Sequence, residues 1–345
     1  MEEKANECQH QQEEVVLIVG AGPSGLAVAA SLAEQAVPSL ILERDDCIGS
    51  LWRKRSTVPF EDPFWALSGV GPARNGDVLE EYVGRYLVVA AGKFDAKVVP
   101  DVNGLESFKG VVIHSSEYRT GSAFKGKDVL VVGSGNSGME IAFDLFEAGA
   151  RTSVVVRSPI HTVTKEIWLF GLRLMKYLPM FIVDQIVLFL CYLRYCNTAK
   201  YGLTRPGFGP LYMLMLSYTH LIPVVDVGTY DRIIKTGEIQ VLPSLTGIEG
   251  NMAIFSNGKT HHFDAIIFAT GYRSTIQQWL ETDEELIGDD GMPKNNYPNL
   301  WKGSKQQPLL HGFRRINLGG LSEDALLIAN DISNDYVLSK EANVI

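Results

Sequence analysis

The residues best placed to do chemistry form a glycine-rich turn, Gly20-Ala21-Gly22-Pro23-Ser24-Gly25, entered from the apolar run 15–19. A second turn of the same kind, Gly133-Ser134-Gly135-Asn136-Ser137-Gly138, follows the apolar run 129–132. The chemistry of a G-x-G-x-x-G turn is phosphate binding. Its first glycine permits a tight bend, its second lets backbone approach a pyrophosphate, and its third lets helix and strand pack closely. The helix that starts there adds free N–H groups and positive potential. One such turn is weak evidence; two in strand–turn–helix context specify two dinucleotide sites.

A charged residue closes the strand after each turn, and the two charges are opposite. Glu43 stands 23 residues past Gly20, and Arg157, followed by Ser158, stands 24 residues past Gly133. A carboxylate accepts hydrogen bonds from a ribose diol and repels a 2′-phosphate, whereas a guanidinium holds that phosphate by paired charge-assisted bonds. The first site therefore suits FAD or NAD, and the second suits NADP. The plainer alternative, a solvated strand end in each case, is weakened by the matched spacing.

The elements that must position these residues read as two βαβ units. In the first, residues 26–35 form the helix and 39–42 the second strand; in the second, residues 139–148 form the helix and 153–156 the strand. Further strands are expected at 86–90, which leads into Ala91-Gly92, and at 265–268, which leads into Ala269-Thr270-Gly271-Tyr272. A C-terminal helix is expected over 322–333 with Ser322 as N-cap. The fold class is α/β, with two Rossmann-like domains. The first domain is discontinuous, residues 15–105 and 272–335, with residues 106–271 inserted as the NADP domain.

Composition narrows the partners. With 345 residues the chain can bury two cores, and its net charge of −9 argues against nucleic acid or an anionic membrane as the main partner. Cys8, Cys47, Cys191 and Cys196 form no C-x-x-C pair, which removes a dithiol centre and a zinc site and fits a reducing cytoplasm. No metal site is expected. Residues 1–14 are polar, carry five Glu, and read as a disordered leader. The apolar stretch 177–193 holds Asp184 near its middle, and 211–225 is broken by Thr219, His220 and Pro223. The first reads as a buried or partner-facing helix, since a central Asp is costly in a membrane span. Loose association with a membrane surface, such as that of the endoplasmic reticulum, is the alternative for both.

Phe108-x-Gly110-x-x-x-His114-x-x-x-Tyr118 resembles the signature of flavin-containing monooxygenases. With Gly133 to Glu140, Lys200-Tyr201-Gly202-Leu203 and Phe268 to Ser274, the chain is similar to the plant YUCCA group. The resemblance implies FAD on the first turn, NADPH on the second, O2 as co-substrate, and conversion of indole-3-pyruvate to indole-3-acetate in auxin synthesis. It adds Leu51, Trp52, Thr270, Gly271, Gly312 and Phe313 to the cofactor-binding set. It names no acid–base catalytic residue, and His114 reads as a tie for the interdomain linker. Three departures stand out: the short stretch 53–84 where the family covers its flavin, Ala91 where the family has Thr, and residues 208–221. They leave two alternatives, oxygenation of another small molecule, or a catalytically impaired nucleotide-binding protein.

Overall fold

The computed structural model describes residues 11–49, 70–72, 81–92, 94–215, 223–280, 287–288, 309–310 and 318–342. The chain divides into two compact units: Met1–Ala96 with Tyr272–Ile345, and Lys97–Gly271.

In the first unit, β1 (Gln11–Val19) leads through the first glycine turn into α1 (Pro23–Glu34) and β2 (Ser39–Glu43). With β3 (Val70–Pro72), β4 (Glu81–Val89) and the short strand Leu309–Leu310, these form a parallel sheet. The order is Leu309–Leu310, β4, β1, β2, β3. Val16 and Ile18 of β1 and Val88 of β4 are fully buried, as expected of strands covered on both faces. On α1, Val28, Ala29 and Leu32 pack against Ala325, Ile328, Ala329 and Ile332 of the C-terminal helix, Leu318–Ala342. The i, i+3, i+4, i+7 spacing of those four residues is the apolar stripe of an amphipathic helix. Complete burial of an isoleucine such as Ile328 or Ile332 is worth about 1.5–3 kcal/mol.

In the second unit, β5 (Val111–His114) precedes β6 (Asp128–Val132), α2 (Asn136–Glu147) and β7 (Arg151–Val155). A helical excursion follows, with α3 (Lys165–Leu174), α4 (Met180–Tyr195) and α5 (Pro210–Met215). The chain then returns through β8 (Gln240–Leu242) and β9 (Ala265–Phe268). The strands make a second parallel sheet in the order β8, β7, β6, β9, β5. A three-stranded antiparallel sheet, Leu245–Glu249, Met252–Phe255 and Thr260–His262, covers its own part of the core.

Three expectations are corrected. Gln11–Glu14 is not leader but strand, because its backbone pairs in parallel with Glu81–Gly84 of β4. Both Rossmann helices begin three residues early, inside the glycine turns, since Gly22 and Gly135 are themselves the N-caps. The C-terminal helix starts at Leu318, so Ser322 lies within it and caps nothing. The unfamiliar stretch 53–84 contributes β3 as an edge strand beside β2, where Pro72 removes no ladder bond from a central position.

Asp184 has a structural assignment that its position in an apolar run did not suggest. It is buried on α4, and its Oδ1 and Oδ2 accept from the backbone N–H groups of Leu211 and Tyr212, at 2.8 and 3.0 Å. It therefore caps α5 from another helix, satisfying donors that a helix start leaves without partners. A side chain on Gly209 would collide with this carboxylate, at 2.2 Å from Oδ2. The same segment is tied at Phe208, whose carbonyl accepts from His161 Nε2 at 2.5 Å, and burial lowers the His161 pKa. Asp184→Ala should strand the buried Leu211 N–H, take the carboxylate from that of Tyr212, and cost about 1–3 kcal/mol. For a domain of this size that is roughly 2–4 °C in melting midpoint per kcal/mol. An unchanged midpoint in thermal unfolding would refute the capping assignment.

Candidate dinucleotide sites

The two glycine turns superpose in their physical constraints. Gly20 has φ +109° and Gly133 φ +120°, conformations that L side chains rarely adopt. A Cβ on Gly20 would also lie 2.5 Å from the Ala90 carbonyl oxygen, and one on Gly133 2.4 Å from that of Ala269. A Cβ on Gly25 would meet the Gly20 carbonyl oxygen at 1.9 Å, and one on Gly138 the Gly133 oxygen at 2.1 Å. First and third glycines are thus required by the fold itself.

The middle glycines are different. Gly22 has φ −78° and ψ −177°, Gly135 φ −74° and ψ −177°, and any residue adopts such backbone. Nothing lies within 4 Å of a Cβ built on either one. The protein does not need glycine there. Glycine there leaves the backbone at the start of α1 and α2 open to a closely pressed ligand, where free N–H groups favour an anion. The residues therefore fit a pyrophosphate at each turn.

Around the first turn, Ala21 is buried and Gly22, Ser24 and Glu43 are half-buried, while Pro23 occupies the first helical position. Glu43 is not a free strand end. One carboxylate oxygen accepts from Ala21 N–H at 2.6 Å and the other from Asp45 N–H at 3.0 Å. It braces the glycine turn and the loop after β2 together, and each oxygen keeps a second lone pair for a ribose hydroxyl. Leu51, Trp52, Gly312 and Phe313 lie outside the described residues.

Around the second turn, Ser134 and Asn136 are half-buried and Ser137 is exposed. Asn136 Oδ1 accepts from Val225 N–H at 2.8 Å, which ties the turn to the short strand Val224–Val225. Arg157 is exposed beyond the end of β7 and forms no ion pair among the described residues; Ser158 beside it is half-buried. Thr270 donates its hydroxyl to the Val98 carbonyl, and Gly271 accepts from His114, so this pair is occupied with the second unit's own backbone.

The signature residues form a scaffold for that unit. Phe108 packs partly buried, and Gly110 leaves room for the Phe108 ring and the Asp264 carbonyl, 2.6 and 2.3 Å from where its Cβ would be. His114 is buried at the end of β5. Ser116 N–H donates to its Nδ1 at 3.2 Å, so Nε2 carries the proton and donates to the Gly271 carbonyl at 3.1 Å. Tyr118 donates to Asp144 at 2.5 Å, and the same carboxylate accepts from Gly121 N–H at 2.7 Å. Burial and Asp144 together push the Tyr118 pKa far up, so its hydroxyl remains a donor. Sequence reasoning missed Asp144, and it missed Asp95, which pairs with Arg44 at 2.7 Å and accepts from Thr275. No spacing rule links such distant partners.

Known proteins bear on this geometry. Residues 18–70 match a family described as NAD(P)-binding Rossmann-like domain, and residues 80–287 match flavin-binding monooxygenase-like proteins. Probable indole-3-pyruvate monooxygenase YUCCA10 of Arabidopsis thaliana is 39% identical over 376 residues, covering 93% of this chain and 97% of its own. Indole-3-pyruvate monooxygenase YUCCA1 of Oryza sativa subsp. japonica is 38% identical over 372 residues, covering 92% and 90%. Among solved structures, a flavin-containing monooxygenase from Stenotrophomonas maltophilia has a TM-score of 0.63 at 17% identity, covering 93% of this chain and 98% of that one. The bacillithiol disulfide reductase Bdr of Bacillus cereus has a TM-score of 0.59 at 19% identity, covering 94% and 100%. At such identities the structures establish fold alone, and that fold serves an oxygenase and a reductase alike.

The contrast among glycines yields a paired prediction. Gly22→Ala should leave the fold intact and weaken FAD binding by about tenfold or more, ~1.4 kcal/mol. Gly135→Ala should do the same for NADPH only. Gly25→Ala, by contrast, should fail to fold or melt well below the parent. Flavin absorbance per mole of protein, read beside circular dichroism, separates these outcomes; full flavin retention in Gly22→Ala contradicts the cradle.

Proposed function

The chain belongs to the flavin-binding monooxygenase family, and from that premise we propose that it converts indole-3-pyruvate to indole-3-acetate in auxin biosynthesis. As a member it is an oxidoreductase that works with FAD and NADPH. The proposed reaction takes indole-3-pyruvate, O2, NADPH and a proton to indole-3-acetate, CO2, water and NADP⁺. FAD, once bound and reduced, supplies the oxygen activation. The chain's own residues bind and orient. On the first turn Gly20, Ala21, Gly22, Pro23, Ser24 and Gly25 cradle the FAD pyrophosphate, and Glu43 takes the ribose diol. On the second, residues 133–138 cradle the pyrophosphate of NADPH, with Arg157 and Ser158 on its 2′-phosphate. The observation that supports this assignment is the pair of open middle glycines in two otherwise fully packed turns.

Arg157→Ala tests the nucleotide assignment. Losing a hydrogen bond to a charged group costs roughly 1.5–3 kcal/mol, so NADPH binding should fall about ten- to a hundredfold while NADH binding hardly changes. Equal losses for both would make Arg157 a structural residue.

A second reading, poor coupling of NADPH use to product, is favoured by one observation. Since 93% of 345 residues is about 321, roughly 55 of the 376 aligned positions of the Arabidopsis relative have no counterpart in this chain. We assign that shortfall to the stretch 53–84, where the resemblance places flavin-covering residues. Activated oxygen on a flavin survives only where water is excluded. The phosphate turns are complete, so NADPH oxidation should persist with hydrogen peroxide as a major product. NADPH consumed, peroxide released and indole-3-acetate formed, measured in one assay, decide the matter. One indole-3-acetate per NADPH would sink this reading and leave the full reaction standing.

A further inference from the structure

The helical hairpin α3–α4 presents an outer face that nothing in its own unit explains. Helix α4 packs inward through one narrow stripe, Val183, Asp184, Val187, Cys191 and Tyr195. Helices packed by a single stripe normally show water a polar opposite face. Here that face is apolar: Phe181 is 69% exposed, Phe189 60%, Tyr192 55% and Leu193 61%. The connecting turn adds Tyr177 at 82%, and α3 adds Phe170 at 45%. An exposed apolar surface this continuous marks an interaction site.

Charge identifies the occupant. Across α3, the turn and α4 the charged residues are Lys165, Glu166, Arg173, Lys176, Asp184 and Arg194, the last paired with Asp231. Asp184 is turned inward, with both oxygens bonded to the start of α5. The remaining exposed charges of the hairpin are therefore Lys165 and Glu166 at the start of α3 and Arg173 and Lys176 at its turn, a net positive set on a chain whose net charge is −9. Neither Arg173 nor Lys176 forms an ion pair among the described residues. Aromatic and leucine side chains beside free cations are the composition of a helix that lies in a lipid interface. A symmetric contact with a second copy would bring this face against itself and offer its exposed cations a single acid per copy, Glu166. No helix among the described residues is long and apolar enough to cross a membrane. The alternative is to lie on one.

We propose that the α3–α4 hairpin seats the protein on the surface of a membrane containing anionic lipid, with Phe181, Phe189 and Tyr177 in the acyl boundary and Arg173 and Lys176 at the headgroups. The expectation drawn from net charge concerns the chain as a whole, and the turn of the hairpin is locally cationic. It stands independently of the reaction assigned above.

The full chain, loaded with FAD, is tested by flotation with phosphatidylcholine vesicles, with and without about one-third phosphatidylserine. Wild type should float with the phosphatidylserine vesicles. Each basic residue near such a surface is worth about fivefold, so Arg173→Glu with Lys176→Glu should weaken partitioning by at least about tenfold. Phe181→Glu with Phe189→Glu should weaken it on both vesicle types. Flavin content should be unchanged in both variants, because the substituted side chains point to solvent. Failure of wild type to float, or flotation equal in wild type and both variants, overturns the proposal. So does a wild-type dimer that ignores vesicles and becomes monomeric with the phenylalanine substitutions, which would give the face to a second copy.

Discussion

Everything in the two sites depends on how closely backbone passes backbone at a strand–turn–helix junction. Gly20 sits under the Ala90 carbonyl and Gly25 under the Gly20 carbonyl, both too close for any side chain, and Gly133, Ala269 and Gly138 repeat the arrangement. That closeness brings the start of α1 and α2 directly over the ends of β1 and β6. It aims the unpaired N–H groups of each helix at one point above its sheet. A looser junction would still make a helix and a strand, but it would not focus the donors. The packing constraint and the binding constraint therefore fall on alternate glycines of one turn: the outer ones answer to the protein, and the middle one answers to the ligand.

The rest of each unit serves to hold that junction. In the first unit the C-terminal helix supplies Ala325, Ile328, Ala329 and Ile332 to the face of α1, so a segment some 300 residues downstream finishes the core under the first turn. In the second unit the flavin-monooxygenase signature does related work. His114 fixes the Gly271 carbonyl, Tyr118 and Gly121 converge on Asp144 of α2, and Gly110 admits the Phe108 ring. None of these four residues needs to touch a cofactor for the signature to matter. Of them, Tyr118 bonds directly to the helix that the second turn begins, at Asp144.

What the sequence made legible was whatever depends on neighbours along the chain. The glycine turns, the strand Ala265–Phe268 and Glu43 at the end of β2 are local patterns that the structure reproduces, whereas Arg157 lies two residues past β7, which ends at Val155 and not at 156. Helix starts were displaced because Gly22 and Gly135, as N-caps, already belong to the helices that the apolar pattern announces only later. Gln11–Glu14 is polar yet forms strand, since parallel pairing with β4 satisfies its backbone regardless of its side chains. Asp184 could not be read from its apolar surroundings, because the donors it serves lie 27 and 28 residues away.

Two turns with nearly identical geometry imply that nucleotide choice cannot reside in the turns. Gly22 and Gly135 differ by 4° in φ and not at all in ψ, so each offers a diphosphate the same cradle. Discrimination must come from the next residue that the ligand meets, at the end of the following strand. There the two units diverge in kind. Glu43 is held by two backbone N–H groups, which fixes its carboxylate against the turn and makes it a rigid acceptor for hydroxyls. Arg157 is exposed and without an ion pair among the described residues, and so keeps its donors for a ligand. A rigid anion excludes a phosphomonoester by repulsion without moving, whereas a mobile guanidinium gains most when a phosphate arrives to order it. On the reading proposed above, the same backbone motif would yield opposite selectivity from one change of charge, with the anion braced and the cation left free.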